Sequence, residues 1–145
     1  MSRPISTTFS NLKQTNKKAV IPFLTANFPD RNSFLTLLHA LPDHGAHIIE
    51  IGIPFSDPMA DGEIIQKTSA IAIKNGFSLS QCLADIADFK SKFPHIPIVI
   101  MSYVNPCIHF GMDDFLKVSS QSHVDGLLLV DVPVENHATI IKKTT

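Results

Sequence analysis

Four short apolar runs, each leading into a polar, proline-containing loop and then into sequence of helical period, constrain this chain most. The runs are Val20-Ile21-Pro22-Phe23-Leu24-Thr25, Ile48-Ile49-Glu50-Ile51-Gly52-Ile53, Ile96-Pro97-Ile98-Val99-Ile100-Met101 and Leu127-Leu128-Leu129-Val130. They are rich in β-branched residues and largely apolar on both faces, as strands of a parallel sheet covered on both sides are. Between them the apolar spacing changes to that of helices. Phe34, Leu35, Leu37, Leu38 and Leu41 share one stripe, with Asp30 or Asn32 available as a cap and Pro42 and Gly45 as stop signals. A second helix is predicted over residues 63–74, ended by Asn75-Gly76. A third begins at Ser78, where Ser78-Leu79-Ser80-Gln81 has the form of a capping box. Leu79, Cys82, Leu83, Ile86, Phe89 and Phe93 give that helix one apolar stripe. Phe115 and Leu116 mark a short helix after Asp113, and a further helix is expected from Val134 onward.

A strand-helix repeat of this kind builds either an open doubly wound sheet or part of a barrel. No Gly-x-Gly-x-x-Gly follows any strand, which removes support for a dinucleotide-binding sheet. Polar groups instead collect where the strands end, at residues 27–30, 54–62, 103–106 and 131–133. Carboxyl ends of strands are where a (β/α)8 barrel places its site.

Composition excludes several function classes. With 145 residues, 44% of them hydrophobic, the chain has enough apolar sequence for one globular core. A net charge of -1 offers no basic field for nucleic acid or anionic lipid. No segment approaches the roughly 20 apolar residues that cross a bilayer, and the first residues lack a secretory pattern. The two cysteines, Cys82 and Cys107, have no metal-ligand spacing and read as free thiols in a reducing compartment. A soluble protein of the cytoplasm is the expectation. The seven histidines (His39, His44, His47, His95, His109, His123 and His137) are scattered. His44 and His47 are close enough to be considered as a metal pair, but no third ligand joins them.

Glu50 is the sharpest local anomaly. Strand alternation puts Ile49, Ile51 and Ile53 on one face and Ile48, Glu50 and Gly52 on the other. A carboxylate among isoleucines should be desolvated and its pKa raised, which suits a general acid/base. The competing reading is a Glu paired with Lys or hydrogen-bonded to a neighbouring strand. The loop after this strand carries Asp57 and Asp61. Asp61 stands just before the expected start of a helix, so capping is its plainest role. Taken with Glu50 it forms a pair of carboxyl groups in different environments, able to hold different protonation states. Phe23 and Tyr103, the single tyrosine, read individually as core packing.

These residues occur in strings that resemble one family. Pro22-Phe23-Leu24-Thr25-Ala26, then Ile49-Glu50-Ile51-Gly52-Ile53-Pro54-Phe55-Ser56-Asp57-Pro58-Met59-Ala60-Asp61-Gly62 and Ile65-Gln66, are similar to the tryptophan synthase alpha chain. So are Pro97-Ile98-Val99-Ile100-Met101-Ser102-Tyr103-Val104-Asn105-Pro106, Val124-Asp125-Gly126 and Asp131-Val132-Pro133-Val134-Glu135. The resemblance implies a (β/α)8 barrel that cleaves indole-3-glycerol phosphate into indole and glyceraldehyde 3-phosphate by a retro-aldol reaction, with no metal or organic cofactor in this subunit. It implies Glu50 as the acid/base at indole C3 and Asp61 as acceptor of the indole N–H. Phe23, Met101 and Tyr103 would line the indole pocket. Pro54, Asp57, Asn105 and Pro106 would face the beta subunit, which joins indole to serine. Asn27 stands where the family usually has Gly, Glu63 where it has Pro, and Pro42 where its helix has none. A barrel takes about 250 residues, so residues 1–145 are expected to form a single partial barrel domain, about the first four β/α units of a truncated barrel. The family's phosphate-binding backbone and substrate-closing loop lie in its second half. A catalytic chain of impaired activity is the leading expectation. A non-catalytic partner that binds or activates the beta subunit is the alternative.

Overall fold

The structure, a computed structural model, describes residues 4–133 together with 135 and 136. The helix expected from Val134 onward lies almost wholly outside the described residues. Four strands, β1 (Phe23–Thr25), β2 (Ile49–Gly52), β3 (Ile98–Ser102) and β4 (Gly126–Leu129), form one sheet in the order β1-β2-β3-β4. Every neighbouring pair is parallel, so each connection is a crossover and carries helices. Helix α1 (Pro4–Gln14) precedes the sheet. Helix α2 (Arg31–Ala40) joins β1 to β2, α3 (Glu63–Lys74) and α4 (Leu79–Lys92) join β2 to β3, and α5 (Val104–Phe110) and α6 (Met112–Gln121) join β3 to β4.

The sheet register sorts the side chains into layers. Phe23, Glu50, Val99 and Gly126 are laterally paired, as are Thr25, Gly52, Met101 and Leu128. Side chains of paired residues project to the same face, so these two rows share a face that we call inner. The intervening row, Leu24, Ile51, Ile100 and Leu127, points the other way. That outer face carries the core. Ile49, Ile51, Ile98 and Ile100 are wholly buried in one cluster with Phe34 and Leu38 of α2, Leu83, Ile86 and Phe89 of α4, and Phe115 of α6. Burying each such side chain contributes on the order of 1.5–3 kcal/mol, and this fixes the strand faces.

Local signals end the helices as their chemistry requires. Asp30 caps α2, its carboxylate accepting the Ser33 N–H at 3.0 Å. Pro42 stops α2, and a 3-10 turn over Pro42–His44 closes on Gly45 at φ 87°. Ser78 accepts the Gln81 N–H at the start of α4. The reciprocal half of the expected capping box is absent, because the Gln81 amide turns to Asp85 at 3.1 Å. Asn27 sits at φ 63°, a left-handed conformation that Gly and Asn tolerate. Glu63 is the first residue of α3, where a proline is also accommodated and a carboxylate suits the helix dipole.

Two segments differ from the sequence-based expectation, and a third had no element assigned to it from sequence. The first strand begins at Phe23 rather than Val20, although the Val20 and Pro22 carbonyls already accept the His47 and Glu50 N–H groups, both at 2.9 Å. Residues 104–106, expected as loop, open α5, with Pro106 in its first turn, where no N–H is needed. The polar opening of the chain forms α1, whose Ile5 lies against the Gly126 backbone.

Beneath the sheet, at the amino ends of β3 and β4, Lys90 and Asp125 form a buried ion pair at 2.8 Å. Lys90 also donates to the Ile96 carbonyl at 3.0 Å, and Asp125 accepts the Ile98 N–H at 2.9 Å. Among the described residues no helix is long and apolar enough to cross a membrane.

Candidate active site

The inner face brings three sequence-predicted residues together. Glu50 lies on β2 with Phe23 of β1 as its lateral partner on one side and Val99 of β3 on the other, and Met101 is one inner-face step further along β3. All four are half-buried. Glu50 is therefore not sealed among isoleucines as expected. Alternation turns Ile49 and Ile51 into the helix-covered core and leaves Glu50 beside an aromatic ring, a valine and the side-chain-free Gly52. Among the described residues no ion pair or hydrogen bond engages its carboxylate, which argues against the reading of Glu50 as a structural Lys partner.

The loop over residues 53–62 leaves the carboxyl end of β2 and reaches toward Tyr103, which follows β3. Tyr103 is 2% exposed, its ring tilted on Phe55 at 5.3 Å, and its hydroxyl accepts the Ala60 N–H at 2.8 Å. The carboxylate of Asp61 stands beside the same hydroxyl. Burial pushes the Tyr103 phenol above its ordinary value of 10.0; the Ala60 N–H offsets part of this, and the negative charge of Asp61 adds to it. Tyr103 thus supports the loop from below, with its hydroxyl already engaged, in addition to any role as a pocket wall.

Asp61 is half-buried and does not cap α3. Gly62 occupies the cap position with no side-chain bond, while the Asp61 carbonyl accepts the Gln66 amide at 2.8 Å. Its carboxylate is left to the Tyr103 side of the loop. Helix α3 is tied across the end of β1 by the Thr25–Thr68 hydroxyl pair at 2.8 Å and by Asn75, which donates to the Pro29 carbonyl at 2.6 Å. Neither of these ties was foreseen from sequence, where Asn75 read only as a helix stop, because the partners are more than 40 residues away. Asp131, read only as part of a polar loop, accepts the Val104 N–H at 2.8 Å and so secures the start of α5 to the end of β4.

Of the residues expected to face a partner subunit, Asp57 and Asn105 are exposed, Pro106 is half-buried and Pro54 is buried. Asp57 accepts the Ser56 hydroxyl at 2.7 Å, which orders the tip of the loop. His44 and His47 each spend Nδ1 on backbone, at the Ala40 carbonyl and the Val20 N–H respectively. No group of three candidate ligands for a metal occurs among the described residues.

The inner face thus carries a half-buried carboxylate with an aromatic and a thioether on the neighbouring strands, and the loop beyond the end of β2 carries a second, half-buried carboxylate. The family model described as tryptophan synthase alpha chain matches residues 9–145. A tryptophan synthase alpha chain of Thiobacillus denitrificans is 46% identical over 135 residues, covering 93% of this chain and 49% of that protein. One from Burkholderia lata is 42% identical over 139 residues, covering 96% of this chain and 51% of that protein. The crystal structure of the tryptophan synthase alpha subunit from Legionella pneumophila superposes with a TM-score of 0.94 at 32% identity, covering 99% of this chain and 55% of that one. The chain spans about half the length of the curated relatives it matches.

Proposed function

The chain belongs to the tryptophan synthase alpha chain family, and from that premise we propose that its inner-face site acts on indole-3-glycerol phosphate. The observation that supports this reading is the lateral pairing of Phe23 with Glu50 on the face that also carries Met101, below the loop that holds Asp61. Glu50 donates a proton to C3 of the indole ring. The ring nitrogen then bears positive charge, and Asp61 stabilises it by accepting the N–H hydrogen bond. With C3 tetrahedral, the bond from C3 to the glycerol carbon breaks. Its electrons return to the ring as Glu50, now a carboxylate, takes the proton of the glycerol hydroxyl, whose carbon becomes the aldehyde. Indole and glyceraldehyde 3-phosphate are the products. Phe23 and Met101 hold the indole plane, and Tyr103 completes the wall while fixing the loop.

The exposed Asp57 and Asn105, together with the largely uncovered Met59, provide a docking surface for the tryptophan synthase beta subunit, the partner we assign to this chain. We place the protein in the cytoplasm, where this biosynthetic step belongs. The same surface supports a second reading, in which the chain serves the beta subunit without cleaving substrate itself.

Indole release from indole-3-glycerol phosphate separates the two. Wild type should release indole, and Glu50→Gln should lose on the order of 10²–10⁴-fold in rate, the contribution typical of a positioned acid/base. Asp61→Asn should also be slowed strongly. Equal rates in all three proteins would remove the catalytic assignment, and co-purification with a beta subunit would then support the partner reading.

A further inference from the structure

Gly52 has no conformational reason to be glycine. It is the last residue of β2, its φ is not positive, and glycine weakens a strand. What distinguishes it is space. A methyl group added there would overlap Cζ of Phe23 and stand 2.7 Å from Cε2, well inside ordinary contact. The Phe23 ring therefore fills the volume a side chain at Gly52 would need. Phe23 is the lateral partner of Glu50, two residues before Gly52 on the same inner face. Its ring leans along the strand direction over the Gly52 backbone.

The other glycines serve different ends. Gly45, Gly76 and Gly111 have positive φ, Gly62 faces open space, and Gly126 meets the aliphatic Ile5 and Val99. Gly52 alone among them makes room for an aromatic ring beside the candidate acid/base.

We propose that Gly52 is a positioning residue, which sets how far the Phe23 ring stands back from the Glu50 side of the site and so how much room a flat aromatic substrate has. The proposal rests on the reading of Phe23 and Glu50 as substrate-site residues. A side chain at Gly52 would drive the ring forward by more than half an ångström to restore contact distance. Displacements of that order in a substrate wall carry large penalties in binding and alignment. Because the ring contacts substrate before and during the reaction alike, the penalty should fall on KM rather than kcat.

The test is a double-mutant cycle of Gly52→Ala and Phe23→Leu, read by cleavage of indole-3-glycerol phosphate and by binding of indole. The chain contains no tryptophan, so the fluorescence of indole is its own. Gly52→Ala should raise KM about 10-fold or more with kcat nearly unchanged. In the Phe23→Leu background the same substitution should cost almost nothing, since the ring it collides with is gone. An equal cost of Gly52→Ala in both backgrounds would overturn the proposal. Should Gly52→Ala alone fail to fold, recovery of a cooperative melt in the double variant is the corresponding expected result, and no recovery overturns it. Phenylalanine-labelled protein supplies a readout independent of activity. The Phe23 ring signal, assigned by its loss in Phe23→Leu, should shift in Gly52→Ala, and an unmoved signal also refutes the placement. A wild-type chain that neither cleaves substrate nor binds indole would defeat the functional reading, while the ring signal would still decide the role of Gly52.

Discussion

The hydroxyl of Tyr103 accepts the backbone N–H of Ala60 at 2.8 Å, across 43 residues of sequence, and so joins the end of β3 to the loop that carries Asp61. A single side chain thus links the wall of the candidate site to the placement of its second carboxylate.

Tyr103 is the only tyrosine, so absorbance near 295 nm reports its ionisation alone. Burial, with the Asp61 charge added, holds the phenol above 10.0 in the fold. An unfolded chain releases that proton near 10.0, so the folded state binds more protons at higher pH. The stability from this group is complete below pH 10.0 and is lost as pH rises through the folded value. An alkaline titration should show a single transition displaced upward, returning to the ordinary value in urea. A native transition at or below the denatured one would contradict the arrangement.

Tyr103→Phe removes the acceptor for Ala60 while keeping the ring on Phe55. The expected loss is about 1 kcal/mol, the net worth of one hydrogen bond. Amide exchange at Ala60 should accelerate, and a protected Ala60 amide in the variant would show that the loop is held by something else.

Lys90→Met should destabilise the chain by about 3–5 kcal/mol in urea unfolding, because Asp125 is left as a buried carboxylate without its cation. The pair is almost fully enclosed, with side-chain exposures of 4% and 8%. Lys67→Met provides the contrast. Its pair with Glu63 is exposed at 70% and 79%, and its removal should cost no more than about 0.5 kcal/mol. Comparable losses in the two variants would mean that burial does not govern these pairs.

Cys82 and Cys107 should be inert to thiol reagents at pH 8 in the native protein and react fully in denaturant. Burial pushes the Cys82 thiol up to about 12, with Asp85 adding to the effect, and burial likewise raises Cys107. Rapid modification under native conditions would show that the packing of α4 opens, if at Cys82, or that of α5, if at Cys107.

Much of the fold was legible because its signals are local. Helix α3 matches its expected bounds, and the stops at Pro42 and Gly45 and the cap at Asp30 act within one turn of chain. Helix α5 was missed because Asn105-Pro106 looks like a turn in isolation, and only the extended Tyr103 before it and Pro106 in the first turn make it a helix start.

The sequence by itself determined which residues share a face. Strand alternation put Glu50 and Gly52 together, the strings around them named the family, and the polar strand ends located the candidate site. Tertiary structure alone decided what surrounds each residue. It left Glu50 half-buried instead of enclosed, took Asp61 away from the helix cap, buried Pro54, turned Tyr103 into a support for the loop, and set the Phe23 ring over Gly52. The reason is physical. A face follows from the two-residue period of one strand, whereas burial and hydrogen-bond partners depend on segments that the sheet brings together from tens of residues apart.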